Sequence, residues 1–448
     1  MSAAEHPPAE APAARGGSVG RGSAPLLWAQ VLGNAGLFVA IVPITRELGP
    51  SGRGTLAFIT VTAIVCATLA RFGVTEATTV RCAQDPHLRP VLLTNLLAWV
   101  GCSSVGTAAV VVGALEVAPG LRLPGVGGGE LAVLAAAVVS SGLADAGYMF
   151  VLGCSRFRLH AAVTIAAAWL YAIAVGLVAL AWGLTVVRAG VIWVSFQLVK
   201  AIVLLAAGVR AEGLGRPSPA LLRASLAFGA RAWVGTLSTA FNERVDQILV
   251  ALIASEATLG IYAAAVNGFE ILLYPAASAA TAILPLAAQA YPRERAAHVL
   301  GAFRSVGLLT LAGALVAAVL GPLLFPLVFG SEFSDSATPF LWLVPGALGF
   351  VALSIFSNAL VALSAPGRSS LGPLVSLAIS IALDFVLIPP FGAAGAAAAA
   401  TAGLLVGGVT ALVLYQRIAR FPTSELVLPE RRDLELLRAL TRPLARSN

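Results

Sequence analysis

Long apolar runs separated by short polar gaps constrain this chain more than any other feature of its sequence. The runs are about 18 to 28 residues long, which is enough for a helix to cross a hydrocarbon layer of roughly 30 Å. Because a backbone in lipid must satisfy its own hydrogen bonds, and because the strict alternation of barrel strands is absent, the runs are predicted to be helices. The predicted spans are 26–45, 55–74, 91–112, 131–153, 162–183, 190–209, 225–253, 257–288, 303–329, 337–362, 371–389 and 393–416.

The charge content supports the same class of protein. Charged residues make up 11% of the chain and hydrophobic residues 58%, whereas soluble proteins carry about 25% charged residues. The net charge of +7 does not indicate nucleic-acid binding, because the basic residues lie in separate loops. The four cysteines lie in or beside apolar spans at no metal-like spacing, so we expect packing residues and neither a metal nor a cofactor.

The distribution of arginines predicts the orientation of the spans. With the N-terminus inside, the inner loops and the C-terminal tail hold most of the arginines, and the outer loops hold only Arg46, Arg53, Arg122 and Arg188. This asymmetry follows the positive-inside rule and places both termini in the cytoplasm. The excess of arginine over lysine and the abundance of alanine suggest a GC-rich bacterial genome.

A weak internal repeat divides the spans into two halves. GTLA at 54–57 is matched by GIYA at 260–263, at an offset of about 205 residues. We therefore expect an all-α integral membrane protein of about twelve transmembrane helices, in two six-helix bundles related by a pseudo-two-fold axis along the membrane normal. The predicted organisation is a disordered cytoplasmic tail at 1–24, a first bundle at 25–210, a cytoplasmic linker at 211–224, a second bundle at 225–417 and a basic cytoplasmic tail at 418–448.

Four short motifs occur in an order and at spacings that resemble a known family. They are RELGPSGRG at 46–54, NERVDQ at 242–247, LGIY at 259–262 and FGSEF at 329–333. Together they resemble the oligosaccharide-lipid (O-antigen and polysaccharide) flippases of the multidrug/oligosaccharidyl-lipid/polysaccharide exporter superfamily, over about residues 26–416. The resemblance implies a monomer in a bacterial cytoplasmic membrane. It would move an undecaprenyl-type lipid-linked oligosaccharide to the outer leaflet by alternating access, with glycosyltransferases and a polysaccharide polymerase as possible partners.

Three other functions are weighed against this one. Lipid II flippases of the superfamily usually have fourteen helices and arginines in the first, whereas the span 26–45 has no basic residue in its interior. A drug or organic-cation antiporter of the same superfamily remains open and predicts an acidic, arginine-poor cavity. A non-transporting membrane scaffold also remains open. No catalytic constellation and no glycine-rich phosphate loop with lysine is visible, so an enzyme is not expected.

Charged residues inside the spans are the candidates for function, because a charge at lipid depth is costly. At helical spacing the seventh span places Arg231, Asn242 and Asp246 on one polar face, which predicts the wall of an internal cavity. Arg231, Asn242, Arg244 and Arg71 are the candidates for substrate binding, since a guanidinium suits a phosphate. Arg244 is expected to point away from that face, and Arg71 also suits lipid headgroups.

The intramembrane acids are candidates for coupling to a proton or sodium ion, or for lining the cavity. They are Asp246, Glu243, Glu270, Asp384 and Asp145. The alternative is a structural role for each acid. It is a polar network that holds the two halves together for Asp246 and Glu243, a buried structural pair for Glu270, and an unspecified structural role for Asp384 and Asp145.

Overall fold

The computed structural model describes residues 17–289, 292–363 and 366–422, and the regular elements in these ranges are all helical. Side chains are described there except at 17–29, 119, 231–232, 234–235, 275, 278–289, 292–295 and 366. The first half contains α1 Gly17–Arg71, α2 Val74–Gln84, α3 Arg89–Val117, α4 Gly128–Gly153, α5 Phe157–Trp182 and α6 Val186–Glu212. The second half contains α7 Pro219–Ile253, α8 Glu256–Gln289, α9 Pro292–Phe329, α10 Ala337–Leu343, α11 Gly346–Ala362, α12 Pro366–Ser369 and α13 Leu371–Ala419.

Two glycines divide the longest helices into arms. Gly49 in α1 has φ 62° and Gly392 in α13 has φ 56°, and each interrupts the helical backbone. Such angles favour glycine because a Cβ atom clashes with the backbone there. The two arms of α1 coincide with the first two predicted spans, and the two arms of α13 with the last two.

The described helices account for the predicted number of membrane crossings. Eight of them are long and apolar enough to span a membrane, and α10 and α11, bent by 49°, form a ninth span together. Counting α1 and α13 as two arms each and adding the more polar α7 gives twelve crossing segments. The all-α architecture predicted from the apolar runs is confirmed.

Loops that the topology places on the same side do meet at one end of the bundle, which we call the Gly49 end. The Glu47 carboxylate accepts a hydrogen bond of 2.6 Å from the Leu184 N–H. The Glu256 carboxylate accepts one from the Gly125 N–H. The breaks after α3, α5 and α7 therefore lie beside the break in α1, as alternating crossings require.

The opposite end, which we call the Gly73 end, is held by charged loops. Glu212 at the end of α6 pairs with Arg156 at 3.1 Å and with Arg89 at 3.6 Å. Arg81 of α2 donates to the carbonyl of Ala224 in α7 at 3.2 Å, which joins the two halves.

Close glycine contacts bring the halves together at the Gly49 end. Gly54 lies so near the Glu256 carbonyl, and Gly260 so near the Pro50 carbonyl, that a Cβ atom on either glycine would collide with backbone. The contact is reciprocal, since 50 and 256 differ by 206, as do 54 and 260. The repeat inferred from the sequence is therefore visible as a symmetric crossing of α1 and α8.

The observed helix ends differ from the predicted segment boundaries. Helix α1 begins at Gly17, inside the segment predicted as the tail 1–24. The link between α6 and α7 covers only 213–218, because the helices continue into the segment 211–224. Helix α13 ends at Ala419, and residues 1–16 and 423–448 of the predicted tails lie outside the described residues.

Candidate functional site: a charged cavity and the closures on either side of it

A cavity of about 440 Å³ lies among α7, α8, α11 and α13, with Gln30 of α1 at its wall. About half of its lining residues are apolar, Phe269, Leu273 and Phe350 among them. Its polar side chains are Thr239, Asn242, Glu243, Asp246, Glu270, Tyr274, Ser354, Ser357, Asn358 and Ser380. The cavity is therefore amphiphilic, with three carboxylates in its wall.

Asp246 is fixed in this wall by two donors. Its carboxylate accepts a hydrogen bond of 2.5 Å from the Tyr262 hydroxyl of α8 and another of 2.7 Å from the Gln247 N–H. One turn earlier on α7, the Asn242 side-chain oxygen accepts a hydrogen bond of 3.3 Å from the Ser376 hydroxyl of α13. Asp246 is 8% exposed and Tyr262 is fully buried, so these bonds tie α7 to α8 and α13 while leaving a carboxylate beside the cavity.

Asp384 in the first arm of α13 is the least satisfied group of the site. It is fully buried, and neither carboxylate oxygen has a hydrogen-bond partner among the described residues. Asp246 lies close enough to interact with it electrostatically. Ionising both of these neighbouring buried carboxyl groups costs free energy, because their negative charges repel each other and are poorly solvated. A bound proton or cation would reduce that cost.

Arg244 and Glu270 form the ion pair of this cavity. They meet at 2.9 Å, with side chains 24% and 30% exposed. Arg244 is not among the residues that line the cavity, and its ion-pair partner Glu270 lies on α8. Glu243 interacts electrostatically with both charges. The cavity and its surroundings thus hold four acids, with Arg244 paired to one of them and Arg53 of α1 within electrostatic range of that pair.

The first half contains a separate pair at the Gly73 end. Arg71 binds Asp145 of α4 at 3.0 Å and the Thr68 hydroxyl at 2.8 Å. The helix breaks immediately afterwards, at Phe72 (φ 45°) and Gly73 (φ 74°). The predicted candidates Arg71 and Asp145 are therefore brought together, on the second arm of α1 and on α4, and neither is among the residues that line the cavity.

This broken turn also contacts the second half. The Trp233 indole N–H of α7 donates to the Thr68 carbonyl at 2.9 Å, and its ring packs against Phe72 with centroids 4.8 Å apart and planes tilted by 41°. Gly73 and Gly229 pack backbone against backbone, with no room for a Cβ atom on either. The two halves therefore touch at the Gly73 end as well as at the Gly49 end.

The family follows from comparison with known proteins. A family model described as polysaccharide biosynthesis protein matches residues 19–291. The chain belongs to this family. No curated protein matches the chain, so the family membership rests on this match.

Solved structures show that the family member has the fold of superfamily transporters. The lipid II flippase MurJ in an inward closed conformation matches with a TM-score of 0.71 at 12% identity, over 94% of this chain and 92% of that one. An inward-facing multidrug resistance MATE transporter matches with a TM-score of 0.66 at 13% identity, over 88% of this chain and 94% of that one. A superfamily transporter from Pyrococcus furiosus Vc1 matches with a TM-score of 0.62 at 13% identity, over 90% of this chain and 95% of that one. That transporter is described as having a binding pocket of reverse polarity.

The predicted residues of this polysaccharide biosynthesis protein divide into three groups. Asn242, Glu243, Asp246 and Glu270 line the cavity, while Arg244 and Asp384 lie beside it. Arg71 and Asp145 pair elsewhere. The Arg231 side chain lies outside the described ones. No group of three or more metal-ligating side chains occurs in the part of the chain that the structure describes.

Sequence reasoning missed three contributors. Tyr262 lay within the LGIY motif and Trp233 within the predicted span 225–253, but the sequence did not show which helix either side chain would contact. Arg53 was assigned to an outer loop from its position between apolar runs, yet it lies in the second arm of α1 and is 8% exposed. A charged residue next to a glycine-rich turn was the available signal.

Proposed function

We propose that this protein is a flippase that moves an undecaprenyl-type lipid-linked oligosaccharide from the cytoplasmic to the outer leaflet of a bacterial cytoplasmic membrane. The Gly73 end would face the cytoplasm, as the arginine distribution predicts, and the protein would act as a monomer. Glycosyltransferases would supply the substrate and a polysaccharide polymerase would use the product. The family match and the transporter fold support this proposal.

One observation carries the proposal: a charged cavity lies between two closures, and each closure is a contact between the halves. Opening the Gly73 contact would admit a headgroup from one side, and opening the Gly54–Gly260 contact would release it to the other. Alternating access needs such a pair of separable contacts around a common site, and a substrate that binds the two states differently.

The acids beside the cavity would couple this cycle to a proton or sodium ion. Asp384 has no partner in the described structure and Asp246 is close to it, so a cation would relieve the cost of burying both. Glu243 and Glu270, which line the cavity, would contribute further negative charge to the same site. Asn242 and Arg244 would contact the polar headgroup, and Arg231 is proposed to join them.

A deletion strain tests the transport step. Deletion is expected to stop delivery of a surface glycan and to raise the amount of its lipid-linked precursor, measured by mass spectrometry of extracted lipids. Wild-type protein should restore both pools, and Asp246→Ala and Glu270→Ala should not. Unchanged pools on deletion would falsify the proposal. Full rescue by Asp246→Ala, Arg231→Ala and Glu270→Ala would indicate a non-transporting scaffold instead.

A drug or organic-cation antiporter is the second candidate, and the acidic wall of the cavity favours it. Glu243, Asp246 and Glu270 line the cavity, whereas the described lining includes no arginine. This candidate expects deletion to increase sensitivity to cationic drugs, measured as minimum inhibitory concentrations, while the lipid-linked precursor pool stays unchanged. The two outcomes separate the candidates in one pair of strains.

A further inference from the structure

Two cysteines at the Gly73 end form a thiol pair that the proposed cycle does not use. Cys82 lies on α2 and is fully buried, whereas Cys154 directly follows α4 and is half-buried. The two helices approach closely here, because a Cβ atom on Gly153 would lie 3.1 Å from the Cys82 Cβ atom and would collide with the Thr79 backbone. The Thr79 hydroxyl also donates to the Met149 carbonyl of α4 at 3.0 Å. The packing of α2 against α4 therefore holds the two thiols side by side.

The two thiols of this pair differ in acidity. The Cys82 thiol donates a hydrogen bond to the Cys154 sulfur, and this bond lowers the pKa of Cys154 below the ordinary thiol value. Arg89 and Arg156 lower that pKa further, while burial and the Glu212 carboxylate oppose them. The same hydrogen bond, together with burial, raises the pKa of Cys82. Because the thiolate is the reactive form of a cysteine, Cys154 is the nucleophile of the pair and Cys82 is its protonated neighbour.

The charged side chains around the pair are fixed in place by their own contacts. Arg89 of α3 donates to the Cys82 carbonyl at 3.0 Å, which holds its guanidinium beside the thiols. Glu212 of α6 pairs with Arg156 at 3.1 Å and with Arg89 at 3.6 Å. Two positive charges and one negative charge therefore surround the pair, and their sum favours a thiolate at Cys154. The described residues offer the pair no third metal ligand in a binding arrangement, so the chemistry of this site is that of sulfur.

We propose that Cys154 and Cys82 form a reversible oxidation site that reacts with low-molecular-weight disulfides and links α2 to α4. The Cys154 thiolate attacks one sulfur of the small disulfide, forms a mixed disulfide with it and expels the first small thiolate. Cys82 then loses its proton and attacks the Cys154 sulfur, which expels the second small thiolate. The two protons of the cysteines pass to the two leaving thiolates. Both cysteines are thus oxidised, and one small disulfide is reduced to two thiols.

The location of the pair fits a bond that forms and breaks. The arginine distribution predicts that the Gly73 end faces the cytoplasm, where thiol reductants keep most cysteines reduced. Protein disulfides that form in this compartment are usually transient and respond to oxidising conditions. Cysteines that act in this way have a lowered pKa, access to solvent and a neighbouring resolving thiol. Cys154 combines a lowered pKa with a partly exposed side chain, and Cys82 supplies the second thiol.

A disulfide at this position would fix one side of the closure at the Gly73 end. Helix α2 also contacts the second half, since Arg81 donates to the Ala224 carbonyl at 3.2 Å and Gly73 packs against Gly229. A covalent bond from α2 to α4 would make α2 move with the first half. Opening at this end would then have to separate α2 from α7, because α2 could no longer move away from α4.

Mass spectrometry of the full-length protein in nanodiscs tests the proposal. The reduced protein is incubated with glutathione disulfide, the remaining thiols are blocked with N-ethylmaleimide in denaturant, and the digested peptides are mapped. Wild-type protein should give two peptides linked through Cys82 and Cys154, and dithiothreitol should separate them. Cys82→Ala should stop at a glutathione adduct on Cys154. Cys154→Ala should react at Cys82 about tenfold more slowly than the wild-type pair, because the more acidic thiol is missing.

Cys102→Ala is the matched control, because Cys102 is an exposed cysteine on α3. It should form the link between Cys82 and Cys154 at the wild-type rate. The linked peptides of the wild-type protein are observed without any substitution, so a poorly folded variant cannot obscure them.

Three results would overturn the proposal. If N-ethylmaleimide blocks both thiols after long incubation with glutathione disulfide, the pair only packs α2 against α4. A glutathione adduct that persists on Cys154 of the wild-type protein removes Cys82 as the resolving thiol. An adduct that forms on Cys82 of Cys154→Ala at the wild-type rate removes Cys154 as the nucleophile.

Hydrogen exchange tests the effect of the bond on the closure. Peptides from Val74–Gln84 should exchange several-fold more slowly after oxidation, because local opening of α2 is restricted, and dithiothreitol should reverse the change. Unchanged exchange in α2 of the linked protein would overturn this effect. Neither measurement uses a transported substrate, so a failure of the flippase function would leave both results standing.

Discussion

The two halves of the molecule treat intramembrane charge differently. In the first half, Asp145 meets Arg71 at 3.0 Å and also lies within electrostatic range of Lys200, so its charge is compensated. In the second half, four acids surround Arg244, which Arg53 joins from the first half, and Asp384 has no partner in the described structure. A balanced pair can hold a structure together without a ligand, whereas a surplus of buried carboxylate needs a proton or cation. If a cation couples the cycle, as proposed, the comparison predicts that it binds in the second half.

The largest expected effect is at Asp384. Asp384→Asn should reduce flipping by about 100-fold, within the range of coupling between sites, because the group that would take up the cation is gone. It should not lower the thermal midpoint, since the described residues give Asp384 no hydrogen bond or ion pair to lose. Accumulation of the lipid-linked precursor and a thermal melt measure the two effects.

Asp335→Asn serves as the control for that substitution, because Asp335 is an exposed acid outside the cavity. It should behave as wild type in both measurements. A strongly destabilised Asp384→Asn, with its midpoint several degrees lower, would show that Asp384 is a structural residue and would remove the contrast between the halves.

The next largest effect is expected from Asp145. Unlike Asp384→Asn, a substitution here should lower the stability of the protein. Asp145→Asn leaves the largely buried Arg71 without its carboxylate, which should cost about 2 kcal/mol. This cost is smaller than that of breaking a fully buried pair, because the Asp145 side chain is 38% exposed and water screens its charge. A thermal melt should show a lower midpoint by a few degrees.

A double substitution separates this pair from nonspecific damage. Arg71→Gln together with Asp145→Asn should recover part of the lost stability, since the stranded charge is removed as well. Additive losses in the double variant would mean that the two residues act independently, and the first half would then lack the balanced pair on which the comparison depends.

The sequence was sufficient for the helices because hydropathy acts over a whole span. The break between the first two spans was placed by the polar RELGPSGRG segment, and Gly49 carries it in the structure. The helical period likewise placed Asn242 and Asp246 on one face of α7, and both line the cavity. These features depend on local spacing, which a single sequence contains.

Contacts between helices could not be predicted in the same way. Periodicity placed Arg244 away from Asn242 but did not show that Glu270 of α8 faces it. The same limit kept Arg71 and Asp145 apart as separate candidates. Arg53 was assigned to a loop because hydropathy does not show at which residue a helix resumes after a glycine break. Such pairings depend on the rotation of whole helices, which is set by packing far along the chain.

A smaller effect is expected at the closure that joins the two regions. Gly229→Ala places a methyl group against the Gly73 backbone, so it should weaken the closed state at the Gly73 end. Ser357→Cys in the cavity wall would report the change through labelling by a membrane-impermeant maleimide in inside-out vesicles. Labelling should become several-fold faster, as a destabilisation of about 1 kcal/mol implies.

Gly106→Ala is the matched control, because a Cβ atom at Gly106 meets nothing within 4 Å. It should leave the labelling rate unchanged. If Gly229→Ala also labels at the wild-type rate, the Gly73–Gly229 contact does not control access to the cavity, and the inner closure must lie elsewhere.

The smallest effect is expected from Trp233→Phe. The substitution keeps an aromatic ring against Phe72 but removes the N–H that donates to the Thr68 carbonyl at 2.9 Å. A neutral hydrogen bond contributes about 1 kcal/mol, and part of the loss is offset because the carbonyl gains access to water when the closure opens. Cavity labelling should therefore rise by less than in Gly229→Ala. Trp182→Phe, at a ring that is 71% exposed, should not change it. A larger effect for Trp233→Phe than for Gly229→Ala would mean that the indole bond, rather than the glycine contact, holds the halves together at this end.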